Sequence, residues 1–426
     1  MGISSTSRSA TEDPSTEEGP IFTDRAVASL ASVYRIMLTL GIGLILLGSA
    51  VGLIRHHSLP TPIIGIAHLP SQFVHLDSAA ILTVGVLVFL ITPAAAIAFM
   101  AYSYFKAQDR LYTLIATVVF GIIACSILVA WLSGGSAAQG TKPAISPLAE
   151  LGVVIISAVA GILGSMVGLG GGVFIVPILS VFFGIPLKTA IAASAVSVIV
   201  NSLGGSSVYL KHRMTNVRLG LFMELTTAVG AIVGGLIVVL VAPNILRVIF
   251  GVALLAMGVA MFKRQRQGEP VTNGPDRLML AKVFHDPATD EHVRYIPQYL
   301  RYGAAASSFA GVISGMLGIG GGAVKVPIMN AIMRVPVKAS AATSVFMVGI
   351  TVSASAFIYY IHNIIDLSVT APAVIGVLLG SQAGAHVSRR LRSEVLVRIL
   401  VLILAYLAIT LLLQAFGINM PGTSSS

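Results

Sequence analysis

The chain has 426 residues, of which 56% are hydrophobic and only 10% are charged. Soluble domains carry about 25% charged residues, so this composition excludes an ordinary water-soluble protein and predicts a protein of the lipid bilayer. Cytoplasmic loops of membrane proteins are rich in Lys and Arg, which accounts for the net charge of +10 without nucleic acid as a partner. Cys125 is the only cysteine, which excludes an intramolecular disulfide.

In chain order, residues 1–30 are polar and mixed in charge and lack the pattern of a secretory signal. They are predicted to form a disordered cytoplasmic tail. Three long apolar stretches follow, at residues 31–54, 79–105 and 110–133, each about as long as the roughly 20 residues that span a bilayer. They predict an N-terminal three-helix membrane domain over residues 31–140.

The rest of the chain contains an internal repeat. A shift of 150 residues superimposes 166–194 on 316–344 without a gap, with 12 of 29 positions identical. The two halves are transporter repeat 1, residues 148–262, and transporter repeat 2, residues 301–416, joined by a predicted cytoplasmic loop, 263–300. The predicted segments are 148–167, 172–184, 188–210, 218–241 and 245–262, then 301–317, 322–334, 338–361, 367–387 and 394–416.

The distribution of basic residues predicts that the halves have opposite orientations. The loop Lys211–Arg218 holds three basic residues, whereas the equivalent loop Ile361–Ser368 has none and contains Asp366. Basic loops face the cytoplasm. The sequence therefore predicts an all-α polytopic membrane protein with two inverted five-segment repeats after three N-terminal transmembrane helices. The N-terminus is expected in the cytoplasm and the protein in the inner membrane.

Segments 172–184 and 322–334 are too short to cross a hydrocarbon core of about 30 Å. Each begins with a run of glycines and contains a proline, and paired interrupted segments of this kind indicate a transporter binding site. Helix starts favour anions. The candidate binding residues here are Gly170, Gly171, Gly172, Gly320, Gly321 and Gly322. The alternative is that these glycines serve helix packing, the role expected for Gly230 and Gly234.

These residues resemble the sulfite exporter TauE/SafE family, also called the toluene sulfonate uptake permease family. The resemblance covers residues 148–416 and depends on the two Gly-x-Gly-Gly-Gly…Val-Pro motifs, the Pro-x-Lys that follows each, and Asn216-Val-Arg218-Leu-Gly220-Leu-Phe-Met-Glu224. It implies a permease with two structural repeats that moves sulfite, a sulfonate or a related anion. The motifs differ at one position, where Lys325 stands opposite Ile175. Within the first 140 residues, Thr92-Pro93 and the turn Asp109-Arg110-Leu-Tyr112 are similar to a small uncharacterised three-helix family.

Two charged residues are singled out by their predicted depth in the membrane. Lys325 lies near the middle of a short segment, where a buried Lys usually faces a cavity or a partner, so it is predicted to add a positive charge to an anion site. The alternative is snorkelling to an interface. Glu224 is predicted to carry a proton coupled to anion movement, or else to pair with Arg218, Lys211 or Arg213 at the same membrane face.

Uncharged polar residues form a stripe on each long central segment. They are predicted to bind the substrate, with hydrogen bonding to their own or neighbouring helices as the alternative. The residues are Ser194, Ser197 and Asn201 in repeat 1 and Thr343, Ser344 and Thr351 in repeat 2, with Asn330 and Ser180 as weaker candidates.

Three functional classes compete: a secondary transporter, a channel and a membrane enzyme. A secondary transporter explains the duplication, the broken segments and Lys325 together, and its substrate would be a small anion moved by proton-coupled export. An anion channel, or an uptake carrier for a different small solute, remains an alternative. No catalytic set or P-loop suggests an enzyme, and no cofactor or metal is expected because the histidines crowd the loops 55–78 and 263–300 without a metal-binding motif. Self-association into a homo-oligomer is left open.

Overall fold

The computed structural model describes residues 24–56, 59–60, 63–65, 68–132, 147–168, 170–263, 272, 275–286, 290–388 and 393–418. Most of the tail predicted to be disordered, residues 1–23, lies outside these ranges, as does the end of the predicted N-terminal domain, 133–140. Eight of the described helices are long and apolar enough to cross a membrane. The predicted fold class, an all-α polytopic membrane protein, is confirmed.

The N-terminal domain consists of α1 (Asp24–His56), the short α2 (Leu69–Val74), α3 (Ser78–Lys106) and α4 (Arg110–Leu132). Helix α1 begins inside the segment predicted to be a disordered tail, and this boundary was wrong. The helix continues past the apolar stretch because Leu30 is fully buried and Val27 packs against the core. Helix α3 packs between α1 and α4, and α1 and α4 in turn pack against the repeats.

The predicted five segments appear in each repeat with boundaries that differ by at most two residues. Repeat 1 contains α5 (Pro147–Val167), α6 (Gly172–Phe182), α7 (Leu187–Lys211), α8 (Val217–Leu240) and α9 (Pro243–Lys263). Repeat 2 contains α10 (Leu300–Leu317), α11 (Gly322–Pro327), which continues as a π-helix (Ile328–Ile332), then α12 (Val337–Ile361), α13 (Leu367–Ser388) and α14 (Ser393–Ala415).

The repeats are interlocked, because the first helix of each packs most extensively on the fourth helix of the other. Helix α5 packs on α13 and α10 packs on α8, while α7 faces α12 and α9 faces α14. When the repeats are exchanged, the α5–α13 pair becomes the α10–α8 pair, and the α7–α12 and α9–α14 pairs each become themselves. The molecule therefore has an internal pseudo-two-fold relation between the repeats.

Glycines bring the swapped helices into close contact. A methyl group on Gly230 would lie 2.3 Å from the carbonyl oxygen of Ser308, and one on Gly380 would lie 2.0 Å from that of Ala158. These two contacts are equivalents, each residue being 150 positions from its counterpart. A side chain larger than hydrogen would force the helices apart. The prediction that Gly230 serves helix packing is thereby confirmed.

Helices α7 and α12 form the centre of the molecule. In the most apolar part of each helix, 94% of the residues of α7 and 100% of those of α12 are buried, compared with 33% for the peripheral helix α4. A helix that is enclosed on all sides by other helices can carry small and polar residues, because none of them contacts lipid. The polar stripes predicted on these two helices therefore lie in the interior.

The linker between the repeats is not an irregular loop throughout. It contains an antiparallel hairpin of β1 (Lys282–Asp286) and β2 (Glu291–Tyr295), which sequence analysis did not predict. The ammonium group of Lys338 on α12 lies 2.5 Å from the Asp286 carboxylate, and the Asn216 side chain donates to the carbonyl of Leu280 at 2.8 Å. Burial raises the pKa of the Tyr295 phenol, so this hydroxyl stays protonated next to Asn216. These contacts attach the linker to both repeats.

Candidate functional site

Two glycine turns connect α5 to α6 and α10 to α11. Their backbone is left-handed at Gly168, Gly170 and Gly171, with φ of 81°, 80° and 82°. The second turn repeats the conformation at Gly318, Gly320 and Gly321, with φ of 61°, 80° and 65°. Only glycine adopts this backbone without strain, so the sequence motif is explained by conformation as well as by packing. Helices α6 and α11 begin directly after the turns, at Gly172 and Gly322.

The turns meet at the pseudo-two-fold axis. A methyl group on Gly170 would lie 2.8 Å from the Val348 side chain and 3.1 Å from that of Val198. A methyl group on Gly320 would contact the same two valines, at 2.2 Å and 3.0 Å. Val198 and Val348 are themselves equivalents on α7 and α12. The two glycine clusters therefore converge in the structure, around an apolar centre.

Serine hydroxyls hold each turn from the opposite repeat. Ser194 on α7 donates to the carbonyl of Gly318 at 3.0 Å, and Ser344 on α12 donates to the carbonyl of Gly168 at 2.9 Å. Both hydroxyls are fully buried. Since both are occupied by backbone acceptors, the structure gives Ser194 and Ser344 a role in fixing the turns, whereas their predicted contact with substrate stays a prediction.

Lys325 and Glu224 form an ion pair in the interior. Both side chains are fully buried, and the Lys325 Nζ lies 3.5 Å from the Glu224 Oε2. Lys325 also donates to the Thr351 hydroxyl, which donates to the Glu224 Oε1 at 2.5 Å. Snorkelling of Lys325 to an interface is thereby excluded. Its positive charge is not free, as the predicted anion site required, but is balanced by Glu224 in this conformation.

The expected alternative partners of Glu224 lie elsewhere. Arg218 pairs with Asp109 on the N-terminal domain at 2.9 Å, and its guanidinium lies 4.8 Å from the centre of the Tyr112 ring. Lys211 and Arg213 are exposed at the end of α7 and the turn that follows it. Pairing of Glu224 with any of these three residues was therefore wrong. Sequence reasoning missed the partner, Lys325, because it is 101 positions away along the chain.

The equivalent position in the other half is uncharged. Exchange of the repeats replaces Lys325 by Ile175, Thr351 by Asn201 and Glu224 by Val374. The Asn201 Oδ1 accepts a hydrogen bond from Ser165 at 2.7 Å. Its buried Nδ2 has no hydrogen-bond partner among the described residues, and a methyl group on Gly171 would lie 3.7 Å from it. The described residues at the centre thus include the Lys325–Glu224 ionic cluster and, in Asn201, an amide donor without a partner.

Three of the remaining candidates form hydrogen bonds with the backbone, and the predicted contact of all of them with the substrate stays a prediction. Thr343 accepts a hydrogen bond from the Asn216 backbone amide at 3.0 Å, and Asn330 donates to the Val335 carbonyl at 2.9 Å. Ser197 donates to the Ala193 carbonyl of its own helix at 2.9 Å. The buried Ser180 hydroxyl has no partner within the described part of the chain. Ser165, which orients Asn201, was not singled out from the sequence, where nothing distinguishes it from other serines in apolar helices.

The histidine-rich linker forms no metal centre in the part of the chain that is described. His285 and His292 face each other across the hairpin, with ring centres 5.1 Å apart, and His285 lies 3.3 Å from Asp290. Over the described ranges, no group of three or more His, Cys, Asp or Glu side chains could hold a metal ion.

Comparison with known proteins identifies the family. The family model described as "Sulfite exporter TauE/SafE" matches residues 153–411, more than half of the chain. The chain belongs to the TauE/SafE family. A second model, described as a "Protein of unknown function (DUF1634)", matches residues 30–128 of this TauE/SafE protein, within the N-terminal domain. No solved structure matches the chain.

Several relatives are described as probable membrane transporters. "Probable membrane transporter protein YunE" of Bacillus subtilis is 24% identical over 269 residues, which cover 62% of this chain and 97% of YunE. A protein of Methanocaldococcus jannaschii with the same description is 27% identical over 61% of this chain and 94% of its own length. One from Xylella fastidiosa is 24% identical over 54% of this chain and 82% of its own length. This chain is therefore a multi-pass membrane protein of a transporter family.

Proposed function

We propose that this TauE/SafE protein is a secondary transporter that moves a small anion, such as sulfite, an organosulfonate or a related anion, across the inner membrane. Transport is proton-coupled export by alternating access, with the N-terminus in the cytoplasm. The family description, which names a sulfite exporter, supports this substrate class. The observation that carries the proposal is the fully buried Lys325–Glu224 pair beside two converging glycine turns.

The proposed anion site combines donors from both repeats. Lys325 supplies the positive charge, the free amide of Asn201 supplies a neutral donor, and the starts of α6 and α11 supply a favourable dipole. Glu224 is the proton carrier, because a carboxylate in this interior can become neutral when its partner engages another anion. Uncharged and paired donors suit a ligand that must also be released.

The interlocked repeats suggest which bodies move. Rocking of repeat 1 as a whole against repeat 2 would break the extensive contacts of α5 with α13 and of α8 with α10. The moving bodies proposed here are therefore two mixed bundles, one containing α5 and α13 and the other α8 and α10. The glycine turns lie between these bundles, at the axis that relates them.

A thermal-shift screen in detergent tests the proposal. Sulfite, thiosulfate, sulfate, taurine, methanesulfonate, acetate and chloride are added to the purified full chain, and a bound ligand raises the apparent unfolding temperature by mass action. At a concentration 100 times its Kd, a ligand stabilises by about 2.7 kcal/mol, a shift that is readily measured. We expect a selective response that is lost in Lys325→Met. A flat response to every anion contradicts the proposal.

Flux into proteoliposomes separates a carrier from a channel. A carrier saturates as anion concentration rises and exchanges labelled anion across the membrane, whereas a channel conducts in proportion to concentration over a wider range.

Because Lys325→Met leaves Glu224 as an unpaired buried charge, the matched control is the double variant Glu224→Gln/Lys325→Met, which removes both charges. This variant is expected to fold and to bind no anion.

A further inference from the structure

The ion pair is an isolated neutral unit in the core. Lys325 comes from α11 and Glu224 from α8, and neither side chain is exposed. The groups that face Glu224 are the Thr351 hydroxyl on α12, the Thr227 hydroxyl on its own helix and, within electrostatic range, the phenol of Tyr34 on α1. Apart from Lys325, none of these groups is a cation. The net charge of the cluster is therefore zero while both partners are ionised.

This neutrality restricts which ligands can enter. An anion that binds Lys325 while Glu224 is ionised leaves one net negative charge in the core, and an unbalanced buried charge is strongly disfavoured. A proton that binds Glu224 alone leaves Lys325 as an unbalanced positive charge. When the proton and a monovalent anion arrive together, the carboxyl is neutral and the anion replaces it as the partner of Lys325.

We propose that the transporter carries one proton with each monovalent anion, in an electroneutral co-transport step that exchanges the partner of Lys325. This inference rests on the proposed anion site and adds its stoichiometry and the charge of its substrate. The proton goes to the Glu224 carboxylate, the ion pair with Lys325 opens, and the anion takes the vacated position. No covalent bond forms or breaks other than the O–H bond of the protonated Glu224 carboxyl. The two neutral states, empty and fully loaded, are the ones that cross between the inward-open and outward-open conformations.

Thr351 is placed to accompany this exchange. Its hydroxyl accepts from Lys325 and donates to Glu224, and it also lies 3.1 Å from the carbonyl oxygen of Met347 on its own helix. When Glu224 becomes protonated, the Thr351 hydroxyl can turn to the Met347 carbonyl and leave its lone pairs to Lys325. A second acceptor for this hydroxyl is therefore in place before the ion pair opens.

Electroneutral coupling determines what sets the direction of anion transport. The membrane potential does not act on a step that moves no net charge, so flux follows the sum of the anion and proton gradients. The carrier exports its substrate when the outward anion gradient exceeds the inward proton gradient, and takes it up when it does not. Export and uptake are two regimes of one mechanism.

The experiment uses proteoliposomes containing the full chain and whichever anion of the screened panel gives the largest thermal shift. A pH gradient and a potassium–valinomycin potential are imposed separately. In the wild type we expect the pH gradient to drive uptake and the potential to have no effect. In Glu224→Gln, where the amide imitates the protonated carboxyl, we expect stimulation by the pH gradient to fall at least tenfold. Because the empty variant carries the unbalanced charge of Lys325, its net anion flux should fall, whereas exchange of labelled anion across the membrane should persist.

Lys338→Met is the matched control, because Lys338 belongs to the same repeat and pairs with Asp286 on the linker rather than with Glu224. It should retain the wild-type response to both gradients. Potential-driven flux in the wild type, or undiminished pH coupling in Glu224→Gln, would overturn the inference and leave the anion transporter standing. Absence of transport for every anion of the panel would overturn both.

A binding measurement covers the case in which Glu224→Gln folds but does not transport. Since Lys325 then lacks its partner, the anion should stabilise this variant more than the wild type, and equally at pH 6 and pH 8. In the wild type the anion-induced shift should increase as the pH falls, because binding takes up a proton. An anion effect with the same pH dependence in both proteins contradicts the partner exchange.

Discussion

Ser194 and Ser344 each connect one repeat to the glycine turn of the other. Each donates one hydrogen bond across the repeat boundary to a glycine carbonyl that has no strand or regular helix to satisfy it. A buried carbonyl that loses its donor retains the full desolvation penalty, about 1–3 kcal/mol. The two serines therefore stabilise the two turns in equivalent ways.

We predict that Ser194→Ala and Ser344→Ala each lower the free energy of unfolding by about 1–3 kcal/mol and do so by similar amounts. The control is Ser197→Ala, since that hydroxyl bonds to a carbonyl of its own helix that keeps its backbone donor, and its loss should lower stability less than either of the other two changes. Thermal unfolding in one detergent measures all three. Unequal effects of the two serines would argue against their structural equivalence.

At the residue scale, the importance of Lys325 and Glu224 was predictable from the sequence, but the ion pair between them was not. Lys325 and Glu224 were both recognised because a charge at membrane depth is costly wherever its partner lies. Their pairing depends on how α8 packs beside α11, which no local pattern encodes. The inverse error occurred at Arg218, whose nearness in sequence to Glu224 suggested a pair, although its partner is Asp109 in the N-terminal domain.

At the element scale, the helices were predictable because the bilayer imposes a length and a composition on each of them. The two short segments were predictable for the same reason, as exceptions to that length. The hairpin Lys282–Asp286 with Glu291–Tyr295 was not, because its strands are only five residues each and alternate weakly. Its position is fixed by contacts such as Lys338 with Asp286, which are visible only in three dimensions.

The glycine faces of α13 and α8 lead to a prediction about packing. We expect Gly380→Ala to destabilise the protein by about 1–3 kcal/mol or more, because its methyl group would lie 2.0 Å from a backbone oxygen of α5. The helices would have to separate along their whole contact. Unfolding temperature and the fraction of monodisperse protein after extraction measure the effect.

Gly121→Ala on α4 is the control for this substitution. No atom lies within 4 Å of the position that its methyl group would take, so this change should be neutral or stabilise by up to about 1 kcal/mol. If Gly380→Ala proved as harmless as Gly121→Ala, the contact between α5 and α13 would not be as close as described.

At the scale of the whole molecule, the inverted orientation of the repeats is a prediction about sidedness. Single cysteines introduced into a Cys125→Ser background report it, using a thiol reagent that does not cross membranes. We expect Asn244→Cys and Asn363→Cys to be labelled from the outside of intact cells, and Arg213→Cys to be labelled only after permeabilisation. All three positions are exposed at the ends of helices.

Labelling of Asn363→Cys and Arg213→Cys from the same side would contradict the inversion, since the two residues are equivalents in the two repeats. Labelling of all three from the outside would also contradict a cytoplasmic N-terminus. The charge distribution predicted this topology because Lys211, Arg213 and Arg218 have no basic counterparts in the second repeat.

The swapped arrangement of α5 and α13 also has a consequence during protein synthesis. Helix α5 ends at Val167, and α13, its main partner, begins at Leu367, 200 residues later. At a translation rate of roughly 5–20 residues per second, the ribosome needs about 10–40 s to make the intervening chain. During that time the face of α5 that will pack on α13 contacts lipid instead. The packing of α5 is therefore complete only after α13 has left the insertion machinery.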